Sequence, residues 1–328
     1  MILAIDSGTT RTRVWLMPSG GDPVEAASGI AGARDRAHRR DRAWLLAMVR
    51  KLTGQALATA GADWGDVEAA IGFGMITSEL GLVEVPHLVA PVGREALAAA
   101  ITDWDGGLGP VPLLLVPGVR TPPELVPGAD VMRGEETEIA GVLARELIAP
   151  PFLYVSPGSH SKFAWVDEQG RIAWSLTTLS GELLWALHRE TILAGLVDPA
   201  APDLDPVRVE EGARIAESGG LTRTLFAARV ANVLLDLSPA ECSSLLHGAV
   251  AGDDLRALEA TLPAGERRVA IALSGRGLLR QCYRLLLERR GWTSDVQLID
   301  EPLGPIGARA LYEARRARAG EQGRRLRA

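Results

Sequence analysis

The sequence has few cysteines and no excess of positive charge, and both shortages limit its function. Only two cysteines occur among its 328 residues, Cys242 and Cys282, and neither belongs to a CxxC motif. A disulfide framework and a cysteine-based metal site are therefore excluded, and we expect two buried, free thiols. The formal net charge is −6, whereas general nucleic-acid binding requires a basic surface. Nucleic acid is therefore excluded as a general partner.

Long hydrophobic runs are also lacking. No stretch approaches the roughly 20 apolar residues that a transmembrane helix needs. The first residues carry no positive charge, and Asp6 interrupts the apolar run too early for a signal peptide. These absences predict a soluble, cytoplasmic protein without a membrane partner. The most basic segment, residues 315–327, contains glycine and no apolar periodicity, so we expect a frayed, solvated end there.

The composition is that of a globular protein, with 47% hydrophobic and 23% charged residues. Apolar strand-like segments at 2–5, 67–74 and 111–116 alternate with helical patterns at 42–60 and 94–104. Strands that alternate with helices predict a layered α/β fold. The length of 328 residues allows two domains of ordinary size.

A segment rich in proline and glycine, residues 117–130, predicts a connection between two lobes. We therefore expect an N-terminal lobe at 1–118, a C-terminal lobe at 119–318 and a disordered tail at 319–328. The last helix, expected at 307–318, is open to packing back on the first lobe. The second lobe has strand patterns at 152–156, 162–166, 171–178, 269–273 and 296–299, and helical patterns at 183–193, 207–217, 221–235, 239–261 and 278–289.

Residues 2–17 predict a β-hairpin whose turn carries groups that bind phosphate. Gly8 allows backbone N–H groups to approach a phosphate, and Thr9 and Thr10 add hydroxyl donors. Asp6, at the end of the first strand, can hold Mg²⁺ through water. On this segment alone an ordinary hairpin with a polar turn has about equal weight.

A second motif, residues 130–138, places acidic side chains at a predicted helix start. Glu135 and Glu136 follow Gly134, and glutamates there usually compensate the helix dipole, by about four to one for an isolated pair. Arg133 either pairs with Asp130 or Glu136, or binds a carboxylate of the substrate through two parallel donors.

A third motif, residues 157–162, joins two strand patterns through a corner rich in hydroxyl groups. Gly158 permits close backbone approach, Ser159 and Ser161 can donate to phosphate oxygens, and Lys162 can neutralise developing charge. His160 is as suited to a structural hydrogen bond as to a ligand contact. A glycine corner at 274–277, between a strand and a helix, equally fits an adenosine contact and a plain turn.

Three segments together, residues 4–16, 130–138 and 157–162, resemble the 2-dehydro-3-deoxygalactonokinases, which are sugar-acid kinases of the actin-like/hexokinase superfamily. Residues 74–78 and 179–183 support the resemblance, which extends to about Tyr312. Ser7 departs from the family pattern, in which a tryptophan usually follows the first aspartate. The resemblance implies two actin-like (ribonuclease H-like) lobes with a nucleotide cleft between them. It also implies transfer of the γ-phosphoryl group of ATP, with Mg²⁺, to the C6 hydroxyl of 2-dehydro-3-deoxy-D-galactonate in galactonate breakdown.

The resemblance also implies roles for individual residues. Glu135 is expected to accept the proton of the attacking hydroxyl, with Asp130 as the reserve candidate, and Asp6 to hold Mg²⁺. Of the two hairpin arginines, Arg11 is favoured over Arg13 for facing the substrate. The residues expected to bind ATP are Gly8, Thr9, Thr10, Gly158, Ser159, Ser161, Lys162 and Gly275. Those expected to bind the sugar acid are Arg11, Met75, Thr77, Ser78, Arg133, Glu136 and His160.

Three alternatives stay open at this stage: a kinase for a related sugar or aldonic acid, a phosphatase of the same superfamily, and a non-catalytic sensor of sugar or nucleotide. A sensor does not need a catalytic carboxylate, whereas the sequence retains Asp6, Asp130, Glu135 and Glu136. The expected partners are ATP and a small sugar acid. The sequence does not determine which epimer is the substrate, because epimers differ at one hydroxyl. It also leaves open whether the protein forms a homodimer.

Overall fold

The computed structural model describes residues 1–30, 32, 41–122, 128–198, 201, 203–262, 269–292 and 295–325, with side chains up to residue 321. The chain divides into two compact units. Unit 1 contains Met1–Pro150, Val166–Ser175 and Glu301–Ala328, and unit 2 contains Pro151–Trp165 and Leu176–Asp300. The chain first passes between units after Pro150, and the described part of the proline-rich segment lies within unit 1. Pro123 and Pro127 of that segment lie outside the described residues.

Unit 1 contains a six-stranded sheet in the order β3-β2-β1-β4-β7-β6. Its strands are β1 (Ile2–Ser7), β2 (Thr12–Met17), β3 (Val24–Gly29), β4 (Ala69–Gly74), β6 (Thr102–Trp104) and β7 (Leu113–Leu115). Strands β1 and β2 form the predicted antiparallel hairpin, while β4 runs parallel to β1. The end of β1 therefore lies beside the end of β4, with Ser7 opposite Gly74.

A three-stranded sheet is also formed within unit 1, by β5 (Leu88–Val89), β8 (Val119–Arg120) and β9 (Val131–Met132). Strand β8 is parallel to β5 and antiparallel to β9. The sequence did not indicate β8 or β9, because each spans two residues and its pairing partner is distant in the chain. Part of the predicted connection is therefore structured as a sheet.

The helices of unit 1 are α1 (Arg42–Thr59), α2 (Arg94–Ala100), α3 (Glu135–Ala144) and α9 (Leu303–Arg325). Asp41 caps α1 by accepting a hydrogen bond from the Trp44 N–H at 3.1 Å. The backbones of α3 and α9 approach closely, because a Cβ on Gly307 would lie 1.8 Å from the carbonyl oxygen of Thr137. Glycine at that position is what allows the two helices to touch.

A five-stranded sheet has the order β12-β11-β10-β13-β14. Its strands are β10 (Phe152–Ser156), β11 (Ser161–Val166), β12 (Ile172–Thr178), β13 (Ala270–Leu273) and β14 (Val296–Leu298). The helices of unit 2 are α4 (Ser180–Glu190), α5 (Pro206–Gly219), α6 (Leu221–Leu234), α7 (Pro239–Thr261) and α8 (Leu278–Arg289). Helix α8 buries Cys282, and α7 buries Cys242.

The α/β fold class is confirmed, and several helix boundaries differ from the prediction, most of all those of the second and the last helix of unit 1. The helix expected at 94–104 ends at Ala100, since Thr102–Trp104 pairs with β7 as an edge strand. The last helix is longer than predicted and includes much of the segment expected to be frayed. Arg315 explains part of this difference, because its guanidinium donates to both carboxylate oxygens of Asp103, at 2.9 and 3.0 Å.

Candidate active site

Asp6 lies at the end of β1 and pairs across the hairpin with Arg13, whose Nη1 is 3.2 Å from Asp6 Oδ2. The carboxylate is about one quarter exposed, at 26%. Burial raises the pKa of Asp6, and the charge and hydrogen bond of Arg13 oppose that increase. The arginine beside Asp6 is therefore Arg13, and the favoured Arg11 is exposed in the turn.

The turn of the hairpin is closed by a hydrogen bond from the Gly8 N–H to the carbonyl of Arg11, at 2.8 Å. The backbone at Gly32 lies against it, because a Cβ there would stand 2.4 Å from the carbonyl oxygen of Thr9. Thr10 is exposed, and Thr9 is half-buried. The Gly8 N–H is thus engaged within the turn, whereas Thr9 and Thr10 remain at least partly accessible, as hydroxyl donors to a phosphate must be.

Two glycines bring the start of α3 to the same corner of unit 1. Gly74 ends β4 with a φ of +77°, and a Cβ there would lie 2.5 Å from the Ser7 carbonyl oxygen and 3.7 Å from Asp6 Oδ1. Gly134 has a φ of +113°, and its Cβ would lie 3.5 Å from Gly74 Cα. Gly134 therefore contacts Gly74, which lies beside Asp6, and Glu135 is the next residue along the chain and the first of α3.

Glu136 is fully buried and folds back on the start of its own helix. The Gly134 N–H donates to both carboxylate oxygens, at 2.9 and 2.8 Å, and the Thr137 hydroxyl donates to Oε1 at 3.1 Å. Burial raises the pKa of Glu136 to about 8, and the charge of Glu135 acts in the same direction. Glu136 is thus largely protonated at neutral pH, and its contacts are those of a helix-start residue.

Asp130, the reserve candidate for the base, is held by polar neighbours. The hydroxyl of Ser175 donates to Asp130 Oδ2 at 2.5 Å. The backbone N–H of Asp130 donates to the hydroxyl of Thr121 at 2.6 Å. Since Ser175 is buried, these contacts favour a structural role for this carboxylate.

Arg133 is anchored over the turn that follows β4. Its Nη1 donates to the Thr77 hydroxyl at 2.9 Å, and its Nη2 donates to the Val85 carbonyl at 2.7 Å. Thr77 in turn donates to the Gly74 carbonyl at 3.0 Å. A hydrogen bond of 2.8 Å also closes this turn, from the Ser78 hydroxyl to the carbonyl of Met75. The structure therefore brings together four of the residues predicted for substrate binding, Met75, Thr77, Ser78 and Arg133.

His87 joins this group and was not indicated by the sequence. Its Nδ1 is 3.3 Å from Arg133 Nη2. A histidine before a two-residue strand has no local pattern that distinguishes it. Only the tertiary structure reveals its position, because the contact with Arg133 depends on the pairing of three short strands.

In unit 2, the turn at 157–160 packs against the start of α4. A Cβ on Gly181 would lie 2.2 Å from the Gly158 carbonyl oxygen, and the Glu182 N–H donates to the Ser159 carbonyl at 2.9 Å. His160 Nε2 is 3.3 Å from Glu182 Oε2. His160 is therefore engaged with a carboxylate of the same unit.

The glycine corner at 274–277 lies next to this turn. Gly275 has a φ of +71°, and a Cβ there would stand 3.0 Å from the Pro157 carbonyl oxygen. The Ser274 N–H donates to the Val155 carbonyl at 2.9 Å, and the Tyr154 hydroxyl donates to Ser274 Oγ at 2.8 Å. Two predicted nucleotide-binding corners therefore meet in one place, where glycine leaves the backbone accessible.

Ser161 and Lys162 lie deeper than their predicted role requires. Both belong to β11 and are buried, with Lys162 only 7% exposed. The Lys162 ammonium donates to the hydroxyl of Thr177 at 2.6 Å. The lysine is therefore bound to the neighbouring strand β12 within the protein.

A buried polar network in unit 2 was also missed by the sequence analysis. Asp254 Oδ2 accepts hydrogen bonds from the hydroxyls of Ser180 and Tyr283. Burial raises the pKa of Asp254 to about 6, against the effect of these hydrogen bonds. The available signal was a lone aspartate on the apolar face of α7. Because Ser180 begins α4, the network anchors the helix that packs on the 157–160 turn.

The described residues contain no group of three or more His, Cys, Asp and Glu side chains arranged to hold a metal ion. Asp6 offers one partly exposed carboxylate beside the turn that carries Thr9 and Thr10. Mg²⁺ is commonly bound by one or two carboxylates together with substrate phosphates and water. The donor set at Asp6 therefore fits a magnesium ion that is bound with a nucleotide.

None of the described helices is long and apolar enough to cross a membrane.

Comparison with known proteins gives a consistent result across nearly the whole chain. The family model described as 2-keto-3-deoxy-galactonokinase matches residues 6–302. The 2-dehydro-3-deoxygalactonokinase of Escherichia coli strain K12 is 27% identical over 263 residues, which cover 78% of this chain and 80% of that protein. A probable 2-dehydro-3-deoxygalactonokinase of Rhizobium meliloti strain 1021 is 31% identical over 222 residues, covering 65% of this chain and 66% of that protein.

Solved structures show the same fold. A crystal structure of a putative 2-dehydro-3-deoxygalactonokinase from Sinorhizobium meliloti superposes with a TM-score of 0.75 at 24% identity, covering 97% of this chain and 99% of that one. The activator of 2-hydroxyisocaproyl-CoA dehydratase from Clostridium difficile, with bound ADPNP, gives a TM-score of 0.53 at 12% identity. That alignment covers 98% of this chain and 97% of the activator. The architecture is that of the actin-like ATPases and sugar kinases.

Proposed function

Because this chain belongs to the 2-keto-3-deoxy-galactonokinase family and is a sugar-acid kinase, we propose that it transfers the γ-phosphoryl group of ATP to the C6 hydroxyl of 2-dehydro-3-deoxy-D-galactonate. The observation that carries the proposal is the contact between Gly74 and Gly134. This contact holds the start of α3, and with it Glu135, beside the strand end that carries Asp6. The relatives from Escherichia coli and Rhizobium meliloti bear the corresponding names.

Glu135 is the proposed base that accepts the proton of the attacking hydroxyl. The positive end of the α3 dipole favours the ionised form of a carboxylate in the first helical turn. Glu136 is largely neutral, since its pKa is raised to about 8, and we therefore assign the role of proton acceptor to Glu135. Phosphoryl transfer passes through a loose transition state, in which the position and charge of this group matter more than strong basicity.

Asp6 is the proposed ligand for Mg²⁺, with the 8–11 turn offering backbone and hydroxyl donors to the phosphates. When bound, Mg²⁺ would neutralise negative charge on the transferring phosphoryl group. Arg13 keeps the Asp6 side chain in place through the 3.2 Å contact. The residues proposed to contact phosphate in unit 1 are Gly8, Thr9 and Thr10.

The nucleotide is proposed to contact unit 2 at the corner formed by the 157–160 turn and Gly275. Gly158 is exposed and Ser159 is partly exposed, and Gly275 adopts the left-handed conformation beside this turn. Ser161 and Lys162 are proposed to support this turn from the strand below, since both are buried. Backbone N–H groups at such turns bind phosphate without any basic side chain.

A coupled assay for ADP release tests the proposal. Purified protein is supplied with Mg·ATP and 2-dehydro-3-deoxy-D-galactonate, beside its gluconate epimer and a control without sugar acid. Turnover that depends on the galactonate derivative, with phosphate located on C6 by NMR of the product, supports the proposal. Turnover on the epimer alone would show that the gluconate derivative is the substrate. Release of ADP without sugar acid would indicate a hydrolase.

A further inference from the structure

One face of the three-stranded sheet carries a set of side chains that the proposed chemistry has not used. The pairing places Val89 and Val131 on either side of Arg120. Side chains alternate between the two faces of a strand, so these three share one face, while Val119 and Met132 point to the other. Val119 and Met132 are buried, whereas Val89 is 46% and Val131 53% exposed. The sheet thus has one core face and one open face.

His87 and Arg133 extend the open face by one residue along their strands. Both flank Gly118, since a Cβ on that glycine would lie 2.6 Å from Arg133 Cγ and 2.8 Å from His87 Cδ2. The absence of a side chain at Gly118 therefore leaves room for His87 and Arg133 to meet. We call His87, Val89, Arg120, Val131 and Arg133 the arginine–valine face.

The polar groups that this face can offer to a ligand are hydrogen-bond donors. A guanidinium has no acceptor, so His87 Nδ1, at 3.3 Å from Arg133 Nη2, accepts from it. The proton of the neutral imidazole then resides on Nε2, which is a donor. Burial, together with the charges of Arg133 and Arg120, lowers the pKa of His87 to about 4. The imidazole is therefore neutral at physiological pH, flanked by two cations.

The two arginines lack a carboxylate partner within the described part of the chain. No salt bridge there involves Arg120 or Arg133. Burial lowers the pKa of Arg133, and the charges of Glu136, Glu79 and Glu84 oppose that decrease without forming an ion pair. Arg120 and Arg133 are partly buried cations, and the exposed Val89 and Val131 flank Arg120. Such a face complements a small organic anion in both charge and polarity.

We propose that the arginine–valine face binds the carboxylate end of the sugar-acid substrate, with Arg120 and Arg133 on the carboxylate and Val89 and Val131 against the 3-deoxy carbon. This inference rests on the proposed function, because the substrate of that reaction carries a carboxylate, a keto group and a methylene at one end. Arg133 also connects the face to the catalytic corner, since it directly precedes Gly134 and Glu135 in the chain. The assignment selects Arg120 and Arg133 over Arg11, which is exposed in the hairpin turn.

The decisive experiment combines Arg120→Gln with a change in the substrate. The kinetics of wild type and variant are measured on the sugar acid and on its C1 carboxamide, which has lost the negative charge. We expect Arg120→Gln to raise KM for the acid by roughly 10- to 100-fold, the range for a hydrogen bond to a charged group, with kcat changed less than about threefold. On the carboxamide the two proteins should differ by less than about threefold, because the interaction is already lost.

Arg94→Gln is the matched control, because Arg94 is an exposed arginine whose only ion pair within the described residues is with its neighbour Glu95, at 3.5 Å. It should leave KM for both substrates unchanged. Val131→Asp is a second variant on the open face, and it should raise KM for the acid but not for the carboxamide, since it adds like charge. Equal losses on both substrates in Arg120→Gln, or an unchanged KM for the acid, would overturn the proposal.

Calorimetric titration of the wild type with the sugar acid, without ATP, separates this inference from the proposed reaction. Binding that is lost in Arg120→Gln and kept in Arg94→Gln supports carboxylate binding at the arginine–valine face, even if no phosphoryl transfer is detected. Phosphoryl transfer by the wild type with an unaltered KM in Arg120→Gln would leave the proposed function intact and reject the face.

Discussion

Gly134, at the start of α3, touches Gly74, at the end of β4: a Cβ on Gly134 would stand 3.5 Å from Gly74 Cα. Both residues have positive φ, +113° and +77°. The two glycines therefore meet backbone to backbone, and neither position accommodates a side chain without strain. Since Gly74 also lies against Ser7 and Asp6, this contact sets the place of Glu135 relative to the end of β1.

Gly134→Ala should lower both stability and turnover. A side chain at a φ of +113° costs about 1–3 kcal/mol, and the strain is relieved by moving the start of α3 and Glu135 with it. We expect kcat to fall at least about tenfold, since a shift of about 1 Å at a catalytic group has effects of that order. Urea unfolding and steady-state kinetics measure the two effects. Gly128→Ala is the control, because nothing lies within 4 Å of a Cβ there; equal effects in both variants would argue against the contact.

Glu135→Gln should remove most turnover and leave the fold intact. Loss of a general base lowers kcat by about 10²–10⁴-fold, whereas the neutral isostere preserves the helix start. Glu136→Gln serves as the adjacent control and should lose far less, since Glu136 is already largely neutral at pH 7 with a pKa near 8. Rapid-quench kinetics on the three proteins distinguish the roles. The assignment fails if Glu135→Gln turns over at a near-normal rate.

Asp130→Asn should affect stability more than catalysis. The hydrogen bond from Ser175 at 2.5 Å becomes one between neutral groups, which weakens it by about 1 kcal/mol. We expect a lower thermal midpoint and a kcat within about fivefold of wild type, judged against the losses of a true base. Ser175→Ala is the matched variant, and it should reproduce the loss of stability. A kcat reduced as strongly as in Glu135→Gln would move the base to Asp130.

The buried Glu136 predicts a pH dependence of stability. Its pKa rises from 4.5 to about 8 on folding, so the native state binds more protons than the unfolded state between these pH values. Stability from this group is fully present below pH 4.5 and declines as the pH rises towards 8. The free energy of unfolding of wild type minus that of Glu136→Gln should therefore decrease across this window in urea titrations. A difference that is constant with pH would contradict the shift.

The buried hydrogen bonds that join Asp254 to Ser180 and Tyr283 should contribute more to the free energy of unfolding than the neighbouring surface ion pair of Asp253. Asp254→Ala leaves the hydroxyls of Ser180 and Tyr283 without their shared acceptor, at a cost of about 1–3 kcal/mol for buried groups. Asp253→Ala removes an ion pair with Arg256 on the same helix, and exposed pairs contribute at most about 1 kcal/mol. Denaturant unfolding of both variants gives the comparison. Equal losses would mean that the buried network contributes no more than the surface pair.

The elements that the sequence predicted well have strong local signals. Helix α7 begins and ends where the pattern placed it, because Ser238 and Glu241 form a capping box and Pro239 opens the helix. The β1–β2 hairpin likewise follows from alternation and a tight turn. Strands β8 and β9 have no such signal, since two residues carry no periodicity and their stability comes from partners distant in the chain.

The sequence by itself determined the α/β fold, the family resemblance and the segments proposed to carry the chemistry, because these depend on residue types at fixed spacing. Only the tertiary structure decided what neighbouring side chains do. Glu135 and Glu136 are adjacent residues of the same type, yet successive helical residues point about 100° apart, and packing buries Glu136. In the same way, strand pairing places Lys162 inside the protein and brings His87 to Arg133. Burial and long-range contact set the charge and access of each group, and local sequence encodes neither.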